Sequence, residues 1–458
     1  MRVWPQSKGW RWLLIGCGIL ATTVAILVWN WIVRGEQRLE HELEQIRASG
    51  APLFPEQIVF APRSKGQDPA AWWKAIDAAH VEWTIDGLPE CASRIAAGGN
   101  EAEIISECEA AVRDVRRVGA LSACELAVLR LSVVSDHEAL DLAFQVGSFA
   151  PMDWHAAFLA RIHSIDECYA LPSIPGYLKS VRLLCARAVL SALDGDSAAA
   201  RHELMLAHQA TLLLGEPPSV IARLGKSVAL AKWINSGLLP LLHLLPADTD
   251  WSEVDRVLAS CDPSADFQRA FIGERAMGNA IYRFLRESDG LALELSDEGG
   301  TPSFVLRMVL DRDHANYLAW MRQGISIARE RDSVDSWRDF DAEIDATSEG
   351  ASTLIDGIVW RMIFFRLGST GRQSLSERTR IHLVRAALIA RRDGADAARA
   401  WLARERDPFN DEALRSRLDP DGFLAMWSVG EDGEDNPPVA EREEWTALDD
   451  ILVEVRVR

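Results

Sequence analysis

The run WLLIGCGILATTVAILVWNWIV, Trp12 to Val33, restricts what this chain can become more than any other stretch. At about 1.5 Å of rise per residue it makes a helix about 33 Å long, enough to cross the hydrocarbon core of a bilayer. Trp10 and Trp12 stand at one end and Trp29 and Trp31 at the other, where indoles settle at the two membrane–water interfaces. Asn30 is its only strongly polar residue and lies close to an end. A removable signal peptide is the competing reading, but the run is too long for such a peptide's apolar core, and no A-x-A-like site follows it. The letters LIGC, Leu14 to Cys17, match a lipoprotein cleavage box, yet the apolar run continues well past Cys17, so a peptidase would cut in mid-span. The expectation is an uncleaved, single-pass signal anchor.

Orientation follows from the flanking cations. Arg2, Lys8 and Arg11 precede the span and Arg34, Arg38 and Arg47 follow it, nearly a tie by the positive-inside count. The free N-terminal amine tips it toward a cytoplasmic N-terminus. The body is then expected on the extracytoplasmic side of the cytoplasmic (inner) membrane, in a cell envelope. A formal net charge of -19 excludes nucleic acid as the natural partner, because phosphate backbones are bound by clustered Lys and Arg. Of the seven cysteines, Cys17 lies in the span and Cys91, Cys108, Cys124, Cys168, Cys185 and Cys261 follow. An even number in an exported body permits disulfides without fixing their pairing, and small buried thiols are the equal alternative.

Beyond the span, Ile32, Leu39 and Ile46 fall at sevenfold spacing with Leu43 between them, so the membrane helix can continue outward as a stalk and pair with a partner helix. Gly50, Pro52, Pro55 and Pro62 break it, and APLFPEQIVFAPRSKGQDP reads as an extended linker. From about residue 69 to 405 the pattern is helical. Asp68-Pro69 caps the first of these helices. The clearest unit begins with Leu178, Val181, Cys185, Ala188 and Ala192 as one apolar stripe. Asp194 to Ser197 end that helix and cap the next, which carries Ala200, Leu204, Ala207 and Leu214 on one face. A connection this short predicts an antiparallel helical hairpin. The acidic stretch ESDGLALELSDEGGTPS is the best internal boundary.

The end of the chain changes character. EALRSRL and FLAMWSVG flank Asp419 to Gly422, a turn sequence, and DILVEVRV supplies a third strand. A hairpin alone is marginal in water, so this meander is expected to pack on the helical body.

These residues carry a resemblance. DPFNDEALRSR, DGFLAMWSVGEDGEDN and DDILVEV resemble a C-terminal module written roughly DPF-G-PL-Y, GF-LYSVG-DG-DDGG, DI. That module closes a group of uncharacterised bacterial single-anchor helical proteins, and a similar one closes the major pseudopilin of type II secretion. IRASGAPLFPEQI and the 178–230 region are similar to the same bacterial group. Here Trp427 stands where the module has Tyr, and its final glycines are absent. For a pseudopilin the resemblance implies filament assembly and a bound calcium. Prepilin processing needs Glu at the fifth position after a Gly, and the fifth residue after Gly9 is Leu14, so polymerisation as a pilin is not expected. The bacterial group implies membrane anchorage.

Candidate chemistry is sparse. Asp432, Glu434, Asp435 and Asn436, followed by Asp449 and Asp450, could supply the oxygens calcium wants, with Asp432, Asp435 and Asn436 the leading ligands. No EF-hand spacing is present, which favours a solvated acidic loop. HELMLAH puts His202 and His208 six apart rather than the four that zinc needs on one helical face, and reads as a pair of surface histidines. His137 has no second histidine near it. The densest titratable patch is Asp153, His155, His163, Asp166, Glu167 and Cys168. An i,i+4 ion pair between His163 and Glu167 explains it more cheaply than a Cys–His nucleophile does. RLGSTGR, Arg366 to Arg372, lacks the Lys of a P-loop.

The fold expected is mainly α, with an N-terminal transmembrane helix, an antiparallel helical-hairpin body and a small C-terminal antiparallel β meander. It divides into a cytoplasmic N-terminus (1–11), the span (12–33), stalk and linker (34–68), a first helical region (69–286), an acidic loop (287–303), a second helical region (304–405) and the meander with its acidic loop (406–458). The function expected is that of a non-catalytic envelope scaffold whose partners are the bilayer, through 12–33, and other proteins. The alternatives are a pseudopilin-like secretion component with a calcium-stabilised tail, and an envelope hydrolase using the 153–168 patch.

Overall fold

The computed structural model describes residues 8–59, 65–81, 85, 88–113, 121–154, 173–287, 303–330, 333–350, 367–431 and 451–457. The chain is mainly helical. In order come α1 (Lys8–Ala48), α2 (Pro69–Ala78), α3 (Ala92–Ala96), α4 (Glu101–Arg113), α5 (Ala123–Ser135), α6 (His137–Ala143), α7 (Ile174–Leu193) and α8 (Ser197–Leu212). There follow α9 (Val220–Lys232), α10 (Leu239–Leu244), α11 (Ser252–Ser260), α12 (Pro263–Glu287), α13 (Ser303–Glu330), α14 (Val334–Gly350), α15 (Leu367–Asp393) and α16 (Ala395–Leu402). Strands β1 (Arg415–Leu418), β2 (Phe423–Ser428) and β3 (Ile451–Arg456) close the chain. Two compact units result, each made of separated segments: one of 1–58, 275–324 and 340–367, the other of 59–274, 325–339 and 368–458.

In the first unit α1 is, among the described residues, the one helix long and apolar enough to cross a membrane. Ile19, Leu20, Ile26, Leu27 and Trp29 along it are each more than half exposed, which suits lipid and not water. The same helix runs on unbroken to Ala48, and the helix it packs against belongs to this chain. Gly35, Leu39, Glu42 and Ile46 are buried within this chain's own first unit. Glu42 receives two bonds from the guanidinium of Arg322, at 3.1 Å and 3.2 Å. The heptad-like spacing therefore records an intramolecular contact of α1 with α13. The linker is pinned as well: Arg275 donates to the Pro52 carbonyl at 3.1 Å and Asn279 to the Leu53 carbonyl at 2.8 Å. Its middle is a 3-10 turn, Pro55–Gln57.

The core of the second unit gathers Trp73, Tyr177, Leu184, Leu204, Trp233 and Leu241 with Leu383, Val384, Leu424 and Val455. Local chemistry starts its helices as the sequence predicts. Asp68 accepts from the Ala70 N–H at 2.9 Å, and Pro69, which has no N–H to leave unsatisfied, fills the first turn. Between α7 and α8, Gly195 takes φ of 84° and Asp196 accepts from the Ala199 N–H. Along these two helices Tyr177 meets Thr211 while Arg187 and Ser191 both meet Glu203. Buried indoles find backbone acceptors: Trp72 on Leu142, Trp154 on Leu214 and Trp233 on Leu204. At Gly176 a Cβ would overlap the Trp73 carbonyl oxygen, so only glycine lets α7 approach α2 this closely.

The tail forms the expected antiparallel meander in the order β1-β2-β3, with Leu418 opposite Leu424 and Phe423 opposite Arg456. Leu424, Met426, Val453 and Val455 join the helical core, which removes the marginality of an isolated hairpin. The turn at 419–422 closes with Asp419 N–H donating to Phe423 and Gly422 at φ of 84°. The DPF sequence has its own explanation. Asp407, fully buried, accepts from the Phe409 N–H at 3.1 Å, the Ser428 hydroxyl at 2.9 Å and the Val429 N–H at 3.1 Å. One carboxylate thus ties the loop before β1 to the end of β2.

Among the described residues one disulfide is formed, Cys91–Cys124, in a small cluster with Ile85, Ile104, Cys108 and Val128. Cys108 and Cys185 are buried free thiols and Cys261 is a half-buried one. Burial pushes Cys185 up to about 12 and Cys261 up to about 11, so neither is a ready nucleophile.

Candidate functional site

The most elaborate charged constellation among the described residues lies inside the second unit, on α9, α12 and α15. Ser219 caps α9 by accepting from the Ala222 N–H, and the next turn directs Arg223 and Ser227, four residues apart, to one side. Arg223, 1% exposed, donates to Glu377 Oε1 at 2.8 Å and to Ser227 Oγ at 2.7 Å. Ser227 in turn donates to Glu377 Oε2 at 2.6 Å. Asp266 lies 3.7 Å from Arg223 Nε and accepts from Lys226 Nζ at 3.1 Å. The Arg223 guanidinium also sits 4.6 Å above the centre of the Phe267 ring. Burial by itself would raise the Asp266 carboxyl, but Lys226 and Arg223 outweigh it and hold it below the ordinary range.

This grouping has a hydroxyl against a carboxylate, the beginnings of an activated nucleophile. Its burial argues for another role. Ser227 is 1% exposed and Glu377 8%, so no substrate reaches them. The network acts as a clasp across three helices, with nearly every polar atom satisfied from within.

Two further acids are handled in the same way. Asp136, fully buried between α5 and α6, meets His80 Nδ1 at 2.8 Å and accepts from the Val81 N–H at 3.2 Å. Glu274 accepts from the Val220 N–H at 2.9 Å at the start of α9. Burial pushes its carboxyl up to about 7, and the bond from Val220 offsets only part of that. In the first unit Tyr282 donates to Asp313 at 2.9 Å and stacks on His314 with ring centres 4.4 Å apart. Burial, reinforced by Arg286, holds His314 well below its ordinary range, so it is neutral at physiological pH.

The sequence-predicted candidates fare as follows. Asp432, Asp435 and Asn436, with Asp449 and Asp450, lie outside the described residues, as do His155, His163, Asp166, Glu167 and Cys168. His202 is exposed on α8 whereas His208 is buried, which corrects the expectation of two surface histidines. The His208 ring packs tilted against Trp233, with ring centres 5.0 Å apart, and burial first, then Lys226, lowers it to about 4. Residues 367–372 are the first turns of α15 and not a loop, with Gly371 closing on Trp337. No group of three or more His, Cys, Asp or Glu suited to a metal occurs among the described residues. The Arg223–Glu377 pair, separated by 154 positions, was missed because nothing in the local pattern marks either residue as buried.

One cleft in the second unit, about 460 Å³, is lined by Asp248, Asp250, Trp251, Asp255, Arg391 and Arg392. Its charges are largely spent on neighbours: Arg385 holds Asp255 at 2.9 Å, Asp250 accepts from the Ser252 N–H at 2.9 Å, and Arg392 bonds Asp393.

Comparison with protein-family models, with curated proteins and with solved structures finds no match to this chain.

Proposed function

We propose that this chain is a single-pass, membrane-anchored envelope protein whose body of antiparallel helical hairpins lies outside the cytoplasmic membrane and serves as a non-catalytic interaction scaffold. The observation that carries the reading is the Cys91–Cys124 disulfide in a chain that starts with an apolar, outward-bare helix. Disulfides persist on the oxidising side of a membrane, and the anchor holds the body there. Supporting it, Arg223, Glu377, Asp136 and Glu274 are turned inward to hold helices together. Ile221 and Val228, seven apart on α9, remain 47% and 43% exposed, an apolar face open to a partner.

The test is thiol trapping in whole cells. Blocking free thiols, then reducing and labelling, should reveal one oxidised pair that Cys91→Ser abolishes. Membranes stripped with alkaline carbonate should retain the full chain. A fully reduced body in the native membrane would overturn the extracytoplasmic placement. In-cell crosslinking from α9 then identifies what the body contacts.

A further inference from the structure

Three cysteines meet in one buried cluster of the second unit; Cys91 and Cys124 are bonded, and Cys108 is a free thiol. Cys91 closes the 3-10 turn Pro89–Cys91, Cys108 lies midway along α4, and Cys124 is the second residue of α5. All three are buried. Ile104 and Cys108 are one helical turn apart, as are Cys124 and Val128, so each helix brings a sulfur and a branched aliphatic side chain to the same face. The chain around Cys91 is fastened to α4 as well as to α5. The Ile85 N–H donates to Glu101 at 3.0 Å, Arg94 pairs with Glu107, and a Cβ at Gly99 would come within 3.1 Å of Ile104 Cδ1. Arg94 follows Cys91 by three positions and Glu107 immediately precedes Cys108, so that ion pair brings the Cys91 turn beside the Cys108 turn.

A thiol held beside a disulfide is a potential reactant, because disulfides isomerise by thiolate attack on sulfur. We propose that Cys108 exchanges with the Cys91–Cys124 bond, giving a second native isomer joined Cys91–Cys108 with Cys124 as the free thiol. The step balances without an oxidant or a reductant. The Cys108 thiol gives its proton to solvent and its thiolate forms a bond to Cys91 Sγ. The Cys91–Cys124 bond breaks, and its electron pair leaves on Cys124 Sγ, which then takes a proton. α5 favours cleavage in that direction: Cys124 sits in the first turn of a 13-residue helix, where the helix dipole favours negative charge on the departing sulfur. Cys108 sets the pace. Burial first, then Glu125 of α5, pushes its thiol up, and Arg94 of α3, itself paired with Glu107 of α4, offsets part of that. The exchange is thus held slow near neutral pH and quickens as pH rises. It moves one crosslink from α5 to α4 and leaves the freed sulfur at a helix N-terminus, where a thiolate is favoured.

The inference depends on the disulfide and not on which side of the membrane the body occupies, so its failure leaves the proposed placement standing. The full-length chain in detergent, oxidised as purified, is incubated without reductant at several pH values. Samples are quenched in acid at intervals and digested with pepsin, which stops further exchange, and the linked peptides are identified by mass spectrometry. The expected result is a Cys91–Cys108 peptide that grows with time, at a rate that rises about tenfold per pH unit until the thiol itself titrates and that is independent of protein concentration. Cys108→Ser should hold the cluster at Cys91–Cys124 throughout. Cys124→Ser should contain the Cys91–Cys108 bond from the start. Each variant keeps one crosslink in the cluster, so neither depends on the fold surviving without one. A wild-type chain that still holds only Cys91–Cys124 after prolonged incubation at the highest pH overturns the proposal, whatever Cys124→Ser contains. So does a Cys124→Ser variant in which Cys91 and Cys108 stay unlinked. A rate proportional to protein concentration would place the exchange between molecules and overturn it as well.

Discussion

Breaking the Arg223–Glu377 pair is the sharpest test of the clasp in the second unit. The contact is 2.8 Å long with partners 1% and 8% exposed. Taking that separation and an effective dielectric of about 20, the gross attraction is about 6 kcal/mol. Desolvation of both ions consumes most of it, so the pair as a whole adds little net stability. Removing one partner is different, because the other keeps its desolvation cost. Arg223→Met leaves Glu377 with the Ser227 hydroxyl as its hydrogen-bond donor and only the charge of Arg380 nearby, and should cost about 3 kcal/mol or more. Glu377→Gln should cost about 3 kcal/mol, at the lower end, since Asp266 still lies 3.7 Å from Arg223 Nε. The double variant removes both charges and should cost less than the sum of the singles by at least about 2 kcal/mol. The assay is urea unfolding of the detergent-solubilised full chain, followed through tryptophan fluorescence, to which the buried Trp73 and Trp233 of the same unit contribute. Urea is chosen because it leaves charge pairs unscreened. If the two single effects add in the double variant to within about 0.5 kcal/mol, the two side chains are not energetically coupled and the clasp is refuted.

Other outcomes follow from the same physics. Glu274 has its carboxyl raised from 4.5 to about 7 in the folded chain, so the folded state holds a proton that the unfolded state has released. Its contribution is fully present below about 4.5 and is lost as pH rises through 7; Glu274→Gln should flatten the fall in stability over that window, and an unchanged pH profile would contradict the burial argument. Asp407→Ala strips the acceptor from Phe409, Ser428 and Val429 and should cost about 2–4 kcal/mol, read as faster hydrogen exchange at the Val429 amide, while exchange in α7 stays as before. Cys91→Ser with Cys124→Ser opens a loop of separation 33, worth about 3.7 kcal/mol by chain entropy, and should make α4 and α5 the first helices cleaved by a protease. Glu42→Ala should loosen α1 from α13 and expose residues 49–58 to proteolysis, with carbonate resistance kept.

Much of the fold is legible in residues close together in the chain. The apolar run, the Asp68-Pro69 start, the Asp194–Ser197 junction and the 419–422 turn each declare an element, because periodicity, caps and turns are set by neighbours within a few positions. The stalk shows where such reading stops. A row of Leu39 and Ile46 announces that one face must be covered, and says nothing of what covers it; only the packed chain supplies α13 and the Arg322 bond to Glu42. His202 and His208 likewise looked equivalent in sequence, yet lie on different faces of one helix, one in water and one against Trp233.

By itself, then, the sequence determined the bilayer-length helix, the mainly helical body and the three-stranded tail. Tertiary structure decided the pairings: which cysteines join, which acids Arg223 and Arg322 hold, and why Asp407 is needed. The reason is distance along the chain. Local energies favour each element whatever surrounds it, whereas a contact across 154 positions forms only once packing has removed water from both partners and brought them together.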